Sequence, residues 1–127
     1  MDDPTPTEVR LRTRSRVLEV AYGTDERYEL PFEYLRVYSP SAEVRGHGPG
    51  QETLQLGKHE VGVKAVEPVG RYAVRIVFDD GHDTGLYTWG YLRELGRTRE
   101  EKWRRYLERL AQLGIPYPTA VPPKPGR

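Results

Sequence analysis

The chain has 127 residues and a formal net charge of +1, with 36% hydrophobic and 31% charged residues. That length supports one domain with a real core, no apolar run nears the roughly 20 residues of a membrane span, and the near-neutral balance argues against a dedicated nucleic-acid binder. The absence of cysteine excludes disulfides, thiolate metal sites, cysteine nucleophiles and clusters held by the chain's own thiolates.

The opening MDDPTPTEVR is acidic and proline-rich, unlike a secretory signal, and the expectation is a cytoplasmic protein. Residues 1–7 read as a flexible N-terminus, 8–114 as the folded part, and 115–127, IPYPTAVPPKPGR with five prolines, as a flexible tail. Val9, Leu11 and Thr13 alternate with Arg10, Arg12 and Arg14, and Leu18, Val20 and Tyr22 alternate with Glu19 and Ala21. A period of two predicts strands, and Gly23 to Glu26 predicts a turn before a strand at Arg27 to Leu30. Phe32 and Leu35, three apart after Pro31, predict a short helix. Residues 39–50, SPSAEVRGHGPG, read as a loop because three glycines and two prolines interrupt them.

Leu54 and Leu56 predict a short strand, and Val61, Val63 and Ala65 another. Arg71 to Phe78 is the clearest strand, with Tyr72, Val74, Ile76 and Phe78 on one face; Asp80-Gly81 then signals a tight hairpin and Thr84 to Thr88 the returning strand. Trp89, Leu92 and Leu95 carry helical spacing that Gly96 should stop. Thr98 and Glu101 predict a capping box for a second helix. Its stripe is Trp103, Tyr106, Leu107, Leu110 and Leu113, and Gly114 and Pro116 end it. The fold class is α+β: a mainly antiparallel sheet, a short helix after the first strands and two C-terminal helices.

Three separated segments, LPFEYLRVYSPSAEVRGHGPG, PVGRYAVRIVFDDGHDTGLYTWGYLREL and the terminal helix, occur in an order that resembles the gamma-butyrobetaine hydroxylase-like N-terminal domain family over roughly residues 8–112. The resemblance implies a portable accessory module. In that family the domain stands alone in bacteria with no assigned role, precedes the oxygenase domain of the hydroxylases, or ends a plastid Mrp-type ATPase that carries iron–sulfur clusters. Oxygenase chemistry does not follow from it. A non-haem iron site takes two histidines and a carboxylate, whereas His82 is followed directly by Asp83 and no later histidine exists.

In the similar eukaryotic domains three cysteines after a Leu-Arg pair and one later histidine hold zinc. Aligned on Leu35-Arg36, those positions are Ser39, Ser41 and Val44, with His82 as the retained histidine. Hydroxyls are poor zinc ligands beside thiolates and valine is none, so no metal and no cofactor is expected. A different metal or small-ligand site would need His82 with Glu43 and His47 from the 43–50 loop, and the spacing does not force that meeting.

Other chemistry is weaker. RGHGPGQ matches neither glycine-rich nucleotide motif and reads as a surface loop able to dock a partner. Asp79 and Asp80, adjacent on a strand, point to opposite faces, and Ser39 and Ser41 have no legible base. Arg97 to Leu110 holds six basic and three acidic residues, a face more often solvated than bound to RNA. Tyr87, Trp89 and Tyr91 read as core or as an interface anchor.

The expected function is a non-enzymatic, protein-interacting accessory module. By resemblance it would serve an Mrp-type ATPase or related metal-trafficking machinery, with a second copy of the chain as another candidate partner. Its expected surface is the SAEVRGHGPGQ loop and the FDDGHDTGLYTW hairpin, through Glu43, Arg45, His47 and His82, with Trp89 as anchor. The alternative is a metal- or small-ligand-binding domain built on His82 and the loop.

Overall fold

The computed structural model describes residues 5–46 and 52–118. The first sheet is an antiparallel meander of β1 (Glu8–Arg12), β2 (Val17–Tyr22) and β3 (Glu26–Pro31). Its register pairs Leu11 with Leu18 and Val20 with Tyr28. Leu18 and Val20 are completely buried, as the alternation requires. The arginine row is shorter than expected because β1 ends at Arg12. It is also neutralised: Arg12 and Arg27 reach Glu19, while Arg10 and Arg27 reach Glu8. Thr7, assigned to the loose N-terminus, extends the ladder through its amide to the Ala21 carbonyl at 2.7 Å.

Pro31 leads directly into α1 (Phe32–Val37), whose side chains are nearly all buried. The expected 39–50 loop instead contains a one-turn helix, α2 (Ala42–Arg45). The Ser41 hydroxyl makes that turn possible by accepting the Glu43 amide at 3.2 Å. Leu54 to Leu56 form no strand; Gln55 is pulled inward to meet Arg36.

The second sheet is the antiparallel meander β4 (Val63–Val69), β5 (Ala73–Phe78) and β6 (Leu86–Thr88). Val74, Ile76 and Phe78 face the core. Tyr72 does not join them: it lies in the turn before β5, 55% exposed. Val61 also precedes its expected strand. Residues 79–85, not a two-residue turn, connect β5 to β6. Asp80 spends its carboxylate on Arg36, Lys58 and the His82 amide, which draws the connection into a wider excursion.

The chain ends in a helix pair, α3 (Trp89–Arg97) and α4 (Arg99–Gln112). Gly96 does not stop α3; it lies inside it, against the Tyr28 ring, where a Cβ would come within 2.3 Å of ring carbon. The predicted capping box is absent. The Thr98 hydroxyl donates to the Glu94 carbonyl at 2.7 Å, closing α3, and makes no cap for α4.

Gly114, at φ 70°, ends α4 as expected. The Ile115 amide returns to the Leu110 carbonyl and the Gly114 amide to the Ala111 carbonyl, the pattern of a Schellman close. Of the apolar stripe, Tyr106 and Leu110 are buried, while Leu113 is exposed at the terminus. The tail is not free at its start: Ile115 packs beside Tyr106 and Leu110, and Tyr117 meets Trp103 edge-on and donates to Glu33 at 2.7 Å. One large core joins both sheets, α1 and α3, and a smaller cluster of Val37, Tyr106 and Leu110 seats α4.

Candidate functional site

The end of α1, the turn into α2 and the β5–β6 connection converge on His82. Its Nε2 lies 2.8 Å from the Ser39 Oγ, and both residues are buried. Ser39 Oγ also accepts the Ser41 amide at 3.2 Å. Nδ1 faces the Glu43 carboxylate at 3.8 Å, longer than a hydrogen bond. Alongside runs a closed circuit: the Ser41 hydroxyl donates to Thr84 at 2.6 Å, Thr84 to Glu43 at 2.6 Å, and the Glu43 amide to Ser41. Gly85 is required here, since a Cβ would come within 2.5 Å of Ser39 Oγ.

A second hub adjoins the first. Asp80 accepts from Arg36 Nε at 2.9 Å, Lys58 Nζ at 2.8 Å and the His82 amide at 3.1 Å. Arg36 also donates to Gln55 at 2.8 Å, and the Gln55 carbonyl accepts the Tyr106 hydroxyl at 2.5 Å. Burial pushes the Asp80 carboxyl up, but the Lys58, His82 and Arg36 donors outweigh it and hold it at about 2. Burial, helped by the nearby Arg36 charge, lowers His82 below its ordinary value, so the ring is neutral near pH 7.

Ser39, His82 and Glu43 thus have the order of a nucleophile, a base and an orienting acid. The chemistry does not follow, because Ser39 is only 1% exposed and Gly85 and Tyr87 close over it. Nor do the residues fit the zinc of the similar hydroxylase domains. Ser39, Ser41 and His82 do meet, but two hydroxyls and one imidazole already hydrogen-bonded to one of them make a poor donor set. No group of three histidine, aspartate or glutamate side chains able to hold a metal occurs among the described residues. The cluster is a polar lock that ties the β5–β6 connection to α1 and α2.

The predicted surface residues do not form one patch. Glu43 and Arg45 lie exposed on α2, and His82 is buried beneath them. Trp89 starts α3, its indole donating to the Arg71 carbonyl at 2.7 Å, and its carbonyl accepts the Tyr22 hydroxyl. His47 lies outside the described residues. Asp79 and Asp80 diverge, Asp79 accepting the Gly62 amide at 2.9 Å.

Sequence reasoning missed Arg36, Lys58, Gln55 and Thr84. The one available signal was a cation, Arg36, on a helix that is otherwise almost wholly apolar or aromatic. It also missed a cleft of about 820 Å³ between α2 and α4, lined by Arg45, Tyr91, Arg105 and Arg109 over Val37 and Leu54.

Residues 9–93, from β1 into α3, match the model of the family described as gamma-butyrobetaine hydroxylase-like, N-terminal. The chain belongs to that family. A protein solved by NMR is 44% identical, covering 99% of this chain and 100% of its own, with a TM-score of 0.80. A second NMR structure is 42% identical over 97% of this chain and 95% of its own, with a TM-score of 0.77. A crystal structure of a DUF971-family protein of unknown function from Acidithiobacillus ferrooxidans is 42% identical over 75% of this chain and 98% of its own, with a TM-score of 0.62. No curated protein matches the chain. Among the described residues no helix is long and apolar enough to cross a membrane.

Proposed function

We propose that this member of the family is a non-catalytic accessory module that recognises a protein partner in the cytoplasm. The partner class is an iron–sulfur carrier ATPase of the Mrp type or related metal-trafficking machinery. The observation that carries the first part is the closed His82 cluster: the groups best suited to chemistry are spent on one another, and Ser39 cannot meet a substrate. The fusion of similar domains to such an ATPase supports the second part, as an analogy between domain settings.

Anaerobic affinity capture from native lysate, read by mass spectrometry, tests this reading. Specific enrichment of an Mrp-type ATPase or a cluster scaffold is the expected result. Its absence, with the captured chain folded, removes the ATPase assignment.

The rival reading, a metal- or small-ligand site, draws on the approach of His82 Nδ1 to Glu43 at 3.8 Å. It requires that untagged protein carry metal and that His82→Ala release it. The lock reading expects no stoichiometric metal before or after loading with zinc, measured by elemental analysis.

A further inference from the structure

We propose that the cleft between α2 and α4 is a docking groove for an acidic peptide segment with an apolar anchor; the proposal rests on the interaction-module reading and names the chemistry of its partner.

The cleft presents arginines from two elements over an apolar floor. Arg105 and Arg109 lie one turn apart on α4 and so share a face. Arg45 comes across from α2 and lies over the Tyr91 ring at 4.9 Å. That contact with Tyr91 orients the guanidinium, and the fork keeps further donors for a carboxylate. The wall is rigid, because Tyr91 donates to the Tyr38 carbonyl and Tyr38 to the Lys102 carbonyl, both at 2.6 Å.

Among the described residues Arg45 and Arg109 have no carboxylate at ion-pair distance, and Arg105 has only an exposed pair with Glu101 at 2.7 Å, which is weak in water. Val37, Leu54 and Val44 supply the floor. Carboxylates on the arginine edges and one apolar side chain on that floor make the complementary ligand.

A nucleic acid fits less well. The basic residues of α3 and α4 do not form one track: Arg97, Arg99 and Arg104 line a different cleft, and Arg104 pairs with Glu108 at 3.2 Å. Strong phosphate binding draws on many cations along one path.

The test is selection of displayed random peptides of about ten residues on the full chain, followed by anisotropy titration of the enriched peptides. The variants are Arg45→Glu with Arg109→Glu and, as a charge-matched control on the other cleft, Arg104→Glu. All three side chains are exposed, so folding should survive, and circular dichroism melting checks that it does. The proposal expects enrichment of acidic peptides carrying a hydrophobic residue, with affinity lowered about tenfold or more by the double reversal and unchanged by Arg104→Glu. Peptides that lack acidic residues, or that bind the double variant equally well, overturn the groove and leave the interaction reading standing. An RNA oligomer that outcompetes the peptides at the same arginines overturns the peptide assignment. No bound peptide, together with no captured partner from lysate, overturns the interaction reading itself.

Discussion

Two polar regions lie side by side in this molecule and differ in what their groups have left to do. Around His82 the Ser39 and Ser41 hydroxyls and the imidazole are buried, the Asp80 carboxylate is half-buried, and each is paired with a neighbour, with the exposed Thr84 closing the circuit. In the α2–α4 cleft the arginines are exposed, and Arg45 and Arg109 are without carboxylate partners among the described residues. Residue type does not separate the two regions, since both combine charged groups with tyrosine. Satisfaction does. A buried group that has its partners costs free energy when disturbed, whereas an exposed cation with no partner costs almost nothing to remove and is available to something else.

The sharpest way to break this contrast is Asp80→Ala, which leaves the buried Arg36 guanidinium with Gln55 but no carboxylate. The expected loss is about 3 kcal/mol in urea denaturation. A loss as small as that of a surface residue would mean that the lock bears little of the fold. Gly85→Ala comes next: its Cβ would meet Ser39 Oγ at 2.5 Å in a packed setting, and overpacking costs about 2 kcal/mol.

His82→Gln follows, at about 1 kcal/mol for the lost Ser39 bond, and it carries a pH signature. His82 is lowered in the fold, so the unfolded chain binds its proton more readily. The stability tied to its neutral form is full above the ordinary value of 6.5 and is lost as pH falls below it. A pH series of chemical denaturation should show that slope in the native chain and lose it in the variant. A second decline belongs to Asp80, whose stabilisation is present above 3.8 and lost toward about 2.

The smallest effect should be in the cleft. Arg109→Ala is expected within about 0.5 kcal/mol of the native chain by thermal or chemical unfolding. A larger loss would make Arg109 a structural residue and weaken the contrast from the other side.

Where local rules governed, the sequence was legible. The alternation in β2, the proline before α1 and the Gly114 close of α4 each answer to neighbours within a few residues. Two of the three misreadings share a cause. Gly96 looked like a helix stop but makes room for the Tyr28 ring. Thr98 looked like an N-cap but closes the preceding helix. Asp80-Gly81 looked like a two-residue hairpin, but Asp80 answers to Arg36 and Lys58, distant in sequence. For Gly96 and Asp80 a contact distant in sequence outweighed a local preference, whereas for Thr98 one local bond, to Glu94 four residues back, replaced another.

The sequence by itself determined the α+β class, the helix pair at the end, the family and the lack of a thiolate metal site, because these rest on periodicity, motif order and residue type. It also placed Ser39, Ser41 and His82 in correspondence with a zinc set that they cannot reproduce. Only the tertiary structure decided that these residues meet in a buried hydrogen-bonded lock. It alone brought Arg45 across to Arg105 and Arg109. Burial and convergence depend on which surfaces the fold brings together, and residues some sixty positions apart carry no local mark of that meeting.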